Sequence, residues 1–212
     1  TCAPIQTRDN CTVQWPACTT YRFAAIQFNG GTYVVAACAE LVIVVDIQIV
    51  SGVLIIEGTF TTIVSSTTVL IGGQVNCGGK IVIGGSCGWQ GSQIIGGGSV
   101  WLGGSTIISG PGDKQCNGPT LINTGTVEWQ EGTIVLIGGS TCQNNGTFTI
   151  GVAVSCSASV TSGWLTLVDS SVVSSGCLAA TTTQATFINY ATVTMNCRVA
   201  FVATWSNYGS LT

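Results

Sequence analysis

The chain has 212 residues, of which 46% are hydrophobic and only 6% are charged, and its formal net charge is -3. An ordinary soluble domain has about 25% charged residues, so uncharged polar side chains must cover most of this surface. The five Lys and Arg residues are scattered and form no basic stripe, which excludes the electrostatic footprint of a nucleic-acid-binding protein. The length suffices for one domain with a continuous core.

The first 39 residues lack the repeats that occur later in the chain. Trp15-Pro16 interrupts any strand pattern in this segment. Four of the eleven cysteines are concentrated there: Cys2, Cys11, Cys18 and Cys38. We therefore predict an irregular, cysteine-rich N-terminal cap over residues 1–39 and one repetitive domain over residues 40–212.

The longest apolar stretch covers residues 41–56 and is dominated by Val and Ile. It contains Asp46 and Gln48, and it is shorter than the roughly 20 apolar residues that a membrane-spanning helix needs. We predict no membrane span. Because β-branched residues favour the pleated conformation, we expect two buried strands here, at residues 41–45 and 53–56.

An aliphatic residue followed by glycines recurs through the middle of the chain. This phrase occurs at Ile71-Gly72-Gly73, Ile83-Gly84-Gly85, Ile95-Gly96-Gly97, Leu102-Gly103-Gly104 and Ile137-Gly138-Gly139. It predicts short strands that end at glycine corners. Between two of these copies, Asp113-Lys114 follows Ser109-Gly110-Pro111-Gly112, which predicts a solvated turn.

A second phrase begins with Asn and continues with alternating Thr or Ser and apolar residues. It starts at Asn123, Asn145, Asn189 and Asn207, about 20 residues apart or about twice that spacing, which is the signature of stacked coils. The fold predicted from both phrases is an all-β, parallel β-solenoid. Stacked Asn side chains at one corner could form a partial amide ladder.

Alternation within this phrase predicts which side chains enter the core. In Thr147-Phe148-Thr149-Ile150, Phe148 and Ile150 point inward and the threonines point outward. The core residues predicted at equivalent positions are Val127, Val193 and Leu211.

The last copy of the phrase has no polar capping sequence after it. It consists of Asn207, Tyr208, Gly209, Ser210, Leu211 and Thr212. Solenoids need capped ends, so this uncapped end predicts either further segments of the same chain or docking against another subunit.

Eleven cysteines without any histidine predict disulfides rather than a metal site, because no paired zinc-ligand spacing occurs. A disulfide framework requires an oxidising compartment. The pairs suggested by spacing are Cys77 with Cys87, Cys116 with Cys142, and Cys156 with Cys177, while Cys197 is left over in the odd total. Asn10 and Asn145 begin sequons for N-glycosylation, which agrees with a secreted, extracellular or cell-surface protein.

The sequence shows no catalytic constellation. The chain lacks histidine and the pattern Gly-x-Ser-x-Gly. Glu128 and Glu131 are the only near acid pair, and a spacing of three along a strand tends to place their side chains on opposite faces. We expect no enzyme activity, no catalytic residues and no cofactor.

The Asn-x-Gly-Thr and Ile-Gly-Gly-Ser phrases resemble the rungs of right-handed parallel β-helix proteins. This pectin-lyase-like architecture also recurs in bacterial adhesins and eukaryotic surface proteins, and the resemblance covers about residues 40–212. It implies a β-helix of the non-enzymatic kind, because no positions here match the acidic and basic cluster of the family's enzymes. Extracellular filaments of microbial eukaryotes, such as flagellar mastigonemes, are similar in being disulfide-rich, low in charge and glycosylated.

The expected function is that of a structural subunit of an extracellular filament or surface appendage, assembling with copies of itself head to tail. The first alternative is a carbohydrate-binding adhesin that would use exposed tryptophans. The candidates for such a glycan platform are Trp89, Trp101, Trp129, Trp164 and Trp205. Further alternatives are a polysaccharide lyase-like enzyme and an ice-binding protein, the latter suggested by Thr59-x-Thr61, Thr147-x-Thr149 and Thr192-x-Thr194.

Overall fold

The chain winds into a parallel β-solenoid in a computed structural model. The structure describes residues 5–6 and 11–150 and, beyond them, strands between residues 156 and 207. No helix occurs among the described residues, and so none of them forms a helix that could cross a membrane.

The strands are short, except for two long ones near the N-terminus. The first thirteen are β1 (Ile5–Gln6), β2 (Thr12–Trp15), β3 (Thr20–Val35), β4 (Glu40–Ile56), β5 (Thr59–Thr62), β6 (Thr67–Leu70), β7 (Gln74–Cys77), β8 (Lys80–Ile83), β9 (Ser86–Trp89), β10 (Gln93–Ile95), β11 (Ser99–Leu102), β12 (Ser105–Ile108) and β13 (Asp113–Asn117). The next thirteen are β14 (Thr120–Asn123), β15 (Thr126–Trp129), β16 (Gly132–Ile137), β17 (Ser140–Asn144), β18 (Thr147–Ile150), β19 (Cys156–Val160), β20 (Gly163–Leu167), β21 (Ser171–Val173), β22 (Cys177–Ala180), β23 (Thr186–Asn189), β24 (Val193–Met195), β25 (Ala200–Phe201) and β26 (Thr204–Asn207).

From β5 to β23, each strand pairs in parallel with the strand three places later, so every coil has three strands and the solenoid has three faces. Face one begins with β5 and β8, face two with β6 and β9, and face three with β7 and β10. The long strand β4 runs across all three faces and pairs with β5, β6 and β7 in turn. The structure therefore confirms the prediction of an all-β, parallel solenoid.

The core forms because side chains alternate between the inside and the outside of each strand. In β7, for example, Val75 and Cys77 are buried while Gln74 and Asn76 are partly exposed. Stacked inward positions give a continuous apolar interior that includes Leu41, Leu54 and Trp129. The predicted inward position of Val127 is confirmed, since this residue is 1% exposed.

The predicted glycine corners are turns in the structure. Gly85, Gly104, Gly125 and Gly146 stack at the corner between face one and face two, forming what we call the corner column. A Cβ atom on any of the last three would overlap the carbonyl oxygen of the preceding glycine in the column. The coils of Gly104, Gly125 and Gly146 therefore need glycine there, because adjacent backbones approach more closely than a side chain allows.

Solenoid strands begin earlier in the chain than residue 40. β2 and β3 pair in parallel with each other, and β3 pairs with β4, within the segment for which the sequence predicted a cap. Repeat phrases are absent there because the long strands bend at Gly30, Gly31 and Gly52 without leaving the ladder.

The apolar stretch over residues 41–56 is one strand, β4, rather than two. Leu41 and Ile43 enter the core on face one, and Leu54 and Ile56 enter it on face three. Val45 lies at the corner between face one and face two and is 55% exposed, so the expectation that this residue is buried is wrong.

Candidate functional surface

The internal voids of the described residues are too small for a substrate. Two internal voids of about 20 Å³ each lie within the solenoid. The first void is lined almost entirely by apolar residues, for example Ile47, Leu54 and Phe60. The second void is lined by residues that include Trp89 and Asn123. Spaces of this size hold at most a water molecule, so neither void can admit a partner molecule.

Trp101 is an aromatic residue whose side chain points outward from face one. Trp101 lies between Val82 on the preceding coil and Ile122 on the following coil. Its Nε1 donates a hydrogen bond to Ser99 Oγ at 3.2 Å, and Lys80 Nζ lies 5.1 Å from the ring centroid. This cation–π contact holds the partly exposed indole across the sheet.

The other described tryptophans are core residues. Trp89 and Trp129 are 2% and 1% exposed, and Trp15 is also buried. Of the glycan-platform candidates, Trp101 alone among the described side chains faces outward. Trp164 and Trp205 lie in β20 and β26, where their side chains are outside the described residues.

The three Thr-x-Thr phrases do not share one face. Thr59 and Thr61 belong to β5 on face one, whereas Thr147 and Thr149 belong to β18 on face two. Thr194 lies on face two, but Val172 separates its position from that of Thr149 in the ladder. Thr192 is outside the described residues. The phrases therefore form no single threonine array.

Face three carries two outward columns without any charged residue over six consecutive coils. The members are Thr12 and Gln14, Thr32 and Val34, Val53 and Ile55, Gln74 and Asn76, Gln93 and Ile95, and Gln115 and Asn117. We call these twelve residues the neutral strip. The sequence analysis missed it, although the spacings between Gln74, Gln93 and Gln115 match the length of one coil.

Charged residues on the other two faces interrupt their outward columns. Face one carries Arg22, Glu40 and Lys80 on its strands, and face two carries Asp46 and Glu128. Near the neutral strip, the exposed charges are at its edges, with Glu57 at a corner and Asp113 at the start of β13.

Lys114 is buried, which corrects the expectation that Asp113-Lys114 forms a solvated turn. It takes an inward position in β13 and is 0% exposed. Its Nζ donates hydrogen bonds to the carbonyl oxygens of Gly110, Gly112 (2.7 Å) and Glu131 (3.4 Å). These carbonyls replace water around the ammonium group and fold the corner before β13 over it.

An amide ladder exists, but its register differs from the prediction at one position. Asn123 Nδ2 donates to Asn144 Oδ1 at 2.5 Å, and both side chains are buried. Asn145, the predicted partner, is exposed at the next corner. Asn189 and Asn207 pair in the same column, while Leu167 occupies the position between them and Asn144.

Cys18 and Cys38 form a disulfide across neighbouring coils, with their Cα atoms 4.6 Å apart. Cys77, Cys87, Cys116 and Cys142 are buried thiols. The structure does not join Cys77 to Cys87, because they enter the core from face three and face two respectively. Likewise, it does not join Cys116 on face three to Cys142 on face one.

Three further candidate cysteines lie on the described strands or beside them. Cys11 Sγ lies 3.8 Å from Tyr33 Oη. Cys156 and Cys177 lie in β19 and β22, which are neighbouring strands. Cys2 and Cys197 lie outside the described residues. Among the residues that the structure describes, no group of three or more potential metal ligands occurs.

Asn145 is exposed at a corner, where a glycan could be attached without disturbing the core. Asn10 lies outside the described residues. Of the predicted assembly end, Asn207 belongs to β26 and residues 208–212 lie outside the described part of the chain.

Glu128 is an outward residue of face two, and its Oε1 accepts a hydrogen bond of 3.0 Å from Gln130 Nε2. Glu131 lies at the following corner, where its backbone carbonyl accepts bonds from Trp129 Nε1 and Lys114 Nζ.

No protein-family model, curated protein or solved structure matches the chain significantly.

Proposed function

We propose that this protein is a structural subunit of an extracellular filament or surface appendage, in which copies stack end to end. The observation that carries this proposal is the uniform polarity of the coils. At the corner between face three and face one, coils donate backbone N–H groups to the coil before them, and Gly96 N, which donates to Asn117 O on the following coil, is an exception. Successive bonds join Lys80 N to Gly58 O, Ser99 N to Gly79 O and Thr120 N to Gly98 O, at 2.9 to 3.0 Å.

This polarity makes the two sides of a coil complementary. The side toward the preceding coil offers donors at this corner, and the side toward the following coil offers acceptors. A contact between the leading coil of one copy and the trailing coil of another is therefore heterologous and does not close on itself. Parallel stacking of this kind generates a filament in which the backbone ladder continues from copy to copy.

Other features agree with an extracellular location. The Cys18–Cys38 disulfide is a bond that persists in oxidising compartments, and Asn145 presents its sequon at an exposed corner. The scarcity of charge also reduces repulsion between copies.

Electron microscopy of native material purified without reductant tests this proposal. We expect unbranched filaments whose axial repeat equals the length of one solenoid. Dispersed particles at every protein concentration would contradict end-to-end stacking.

A carbohydrate-binding adhesin is the second candidate, because Trp101 is a partly exposed aromatic on a flat face. In this case a dispersed monomer should bind glycans on an array, and Trp101→Ala should abolish the binding. Equal glycan binding by the variant would reject Trp101 as the platform.

A further inference from the structure

The neutral strip on face three is suited to contact with another uncharged sheet face. Its outward positions contain only Thr, Val, Ile, Gln and Asn over six consecutive coils. Two such strips could approach each other without burying an unpaired charge, which is the main cost of docking a charged face. Faces one and two would each bring charged residues into the middle of the same contact, whereas Asp113, the outward charge on the described strands of face three, lies beside the strip at the start of β13.

The strip is also complementary to itself. Gln74, Gln93 and Gln115 occupy one outward column on successive coils, at the rung spacing of about 4.8 Å that parallel strands impose. Every carboxamide has both donors and an acceptor, so a ladder of them can hydrogen-bond to an identical ladder. Amide ladders stabilise packed interfaces between identical sheets in this way.

The order of residues along the strip determines the orientation of the two copies. Its first half contains three aliphatic residues, Val34, Val53 and Ile55, beside two threonines and Gln14, and its second half, from Gln74 onward, contains five amides and Ile95. With antiparallel axes, Val53 and Ile55 would face the amides of the other copy. With parallel axes, aliphatic residues meet aliphatic residues and amides meet amides.

Face three is longer than the strip, because β16, β19, β22 and β25 continue it beyond β13. A standard protein–protein interface covers about 800 Å² on each partner. The contact area therefore grows with each further coil of face three that takes part.

We propose that face three binds face three of a second copy of this chain, with the two solenoids side by side and their axes parallel. The pairing is lateral and does not depend on end-to-end stacking. When both occur, they produce a two-stranded filament with a single polarity.

Charge substitution at Ile55, near the middle of the strip, tests the proposal. Ile55→Glu and Ile55→Arg each place like charges opposite each other in a parallel pair, and should weaken dimerisation at least about tenfold in sedimentation velocity. A 1:1 mixture of the two variants should recover dimers, because opposite charges then meet. The control is Ile107→Glu on face two, where Ile107 is 40% exposed, and it should dimerise like the parent chain.

Three outcomes would overturn this proposal: a parent chain that is monomeric at all soluble concentrations, Ile55 variants that dimerise normally, or a mixture that fails to recover. The exposed Gln93 provides the same charge-pair test if the Ile55 variants do not fold, as judged by circular dichroism. In electron micrographs, Ile55→Glu should convert double filaments to single ones. Single filaments of the parent chain would support stacking and reject the lateral contact.

Discussion

Burial raises the pKa of the Cys87 thiol from 9.0 to about 12, and the neighbouring Thr106 side chain only partly opposes this shift. Because the thiol stays protonated and enclosed at pH 8, we predict that Cys87 resists alkylation in the folded protein. Unfolding in denaturant should make it reactive within minutes, as followed by mass-spectrometric mapping. Rapid alkylation of Cys87 without denaturant would contradict its buried position.

The same shift links stability to pH. The folded-state pKa lies above the unfolded value of about 9, so the protonated thiol stabilises the folded state fully below pH 9. This contribution is lost as the pH rises from about 9 toward 12. Burial likewise raises the pKa of Cys142 to about 12, so the two thiols act in the same direction.

Lys114 shows why some residues cannot be placed from sequence. After Gly110, Pro111 and Gly112, a Lys next to Asp is the ordinary composition of a solvated turn. Only the strand register shows that Lys114 takes an inward position, where the turn's own carbonyls surround its ammonium group. Such partners belong to the backbone, and they leave no sequence pattern.

At the scale of the structural element, the corner column sets the spacing between coils. Gly104→Ala would force its Cβ atom into the carbonyl oxygen of Gly85, so the corner must shift. We predict that this substitution lowers the free energy of unfolding by about 1–3 kcal/mol, as overpacking usually does. Urea denaturation followed by circular dichroism measures the change.

Gly97→Ala is the matched control, because a Cβ atom there would meet nothing within 4 Å. Its unfolding free energy should stay within about 0.5 kcal/mol of the parent value. Equal destabilisation by both substitutions would show that the corner column has no special role.

Strand positions within a coil were predictable, but membership of a face was not. The alternation of apolar and polar residues identifies Val127 as a core residue correctly. Coil length varies, however: paired residues are 18 apart at Thr186 and Thr204 and 24 apart at Thr133 and Ser157. An average period of about 20 therefore accumulates errors, as in the placement of Asn145 instead of Asn144.

At the scale of the whole molecule, the low charge has a measurable consequence. Contacts through backbone ladders or through the neutral strip involve no ion pairs, so they contain few charge–charge interactions that salt could screen. We predict that the extent of self-association changes less than about twofold between 0.05 and 1 M NaCl, as measured by light scattering. Dissociation on raising the salt concentration would indicate an interface built on charged residues instead.

The solenoid as a class of fold was predictable because glycine corners and Asn phrases repeat at the length of a coil. The three outer faces were not, because their properties depend on residues from distant coils. Gln74 and Gln115, for instance, are 41 residues apart in the sequence (115 - 74) and two coils apart in the ladder.

The corner between face two and face three differs from the corner column in its tolerance of length. It has three residues at 71–73 and at 90–92, but four at 109–112 and two at 130–131. Pro111 and Gly112 are exposed, and a Cβ atom on Gly112 would meet nothing within 4 Å. A foreign peptide inserted between them would add to the corner and not to a strand, but it would separate the Gly110 and Gly112 carbonyls that hold Lys114 Nζ. With an apolar residue in place of Lys114, the molecule could serve as a scaffold that displays an epitope once per copy along a fibre.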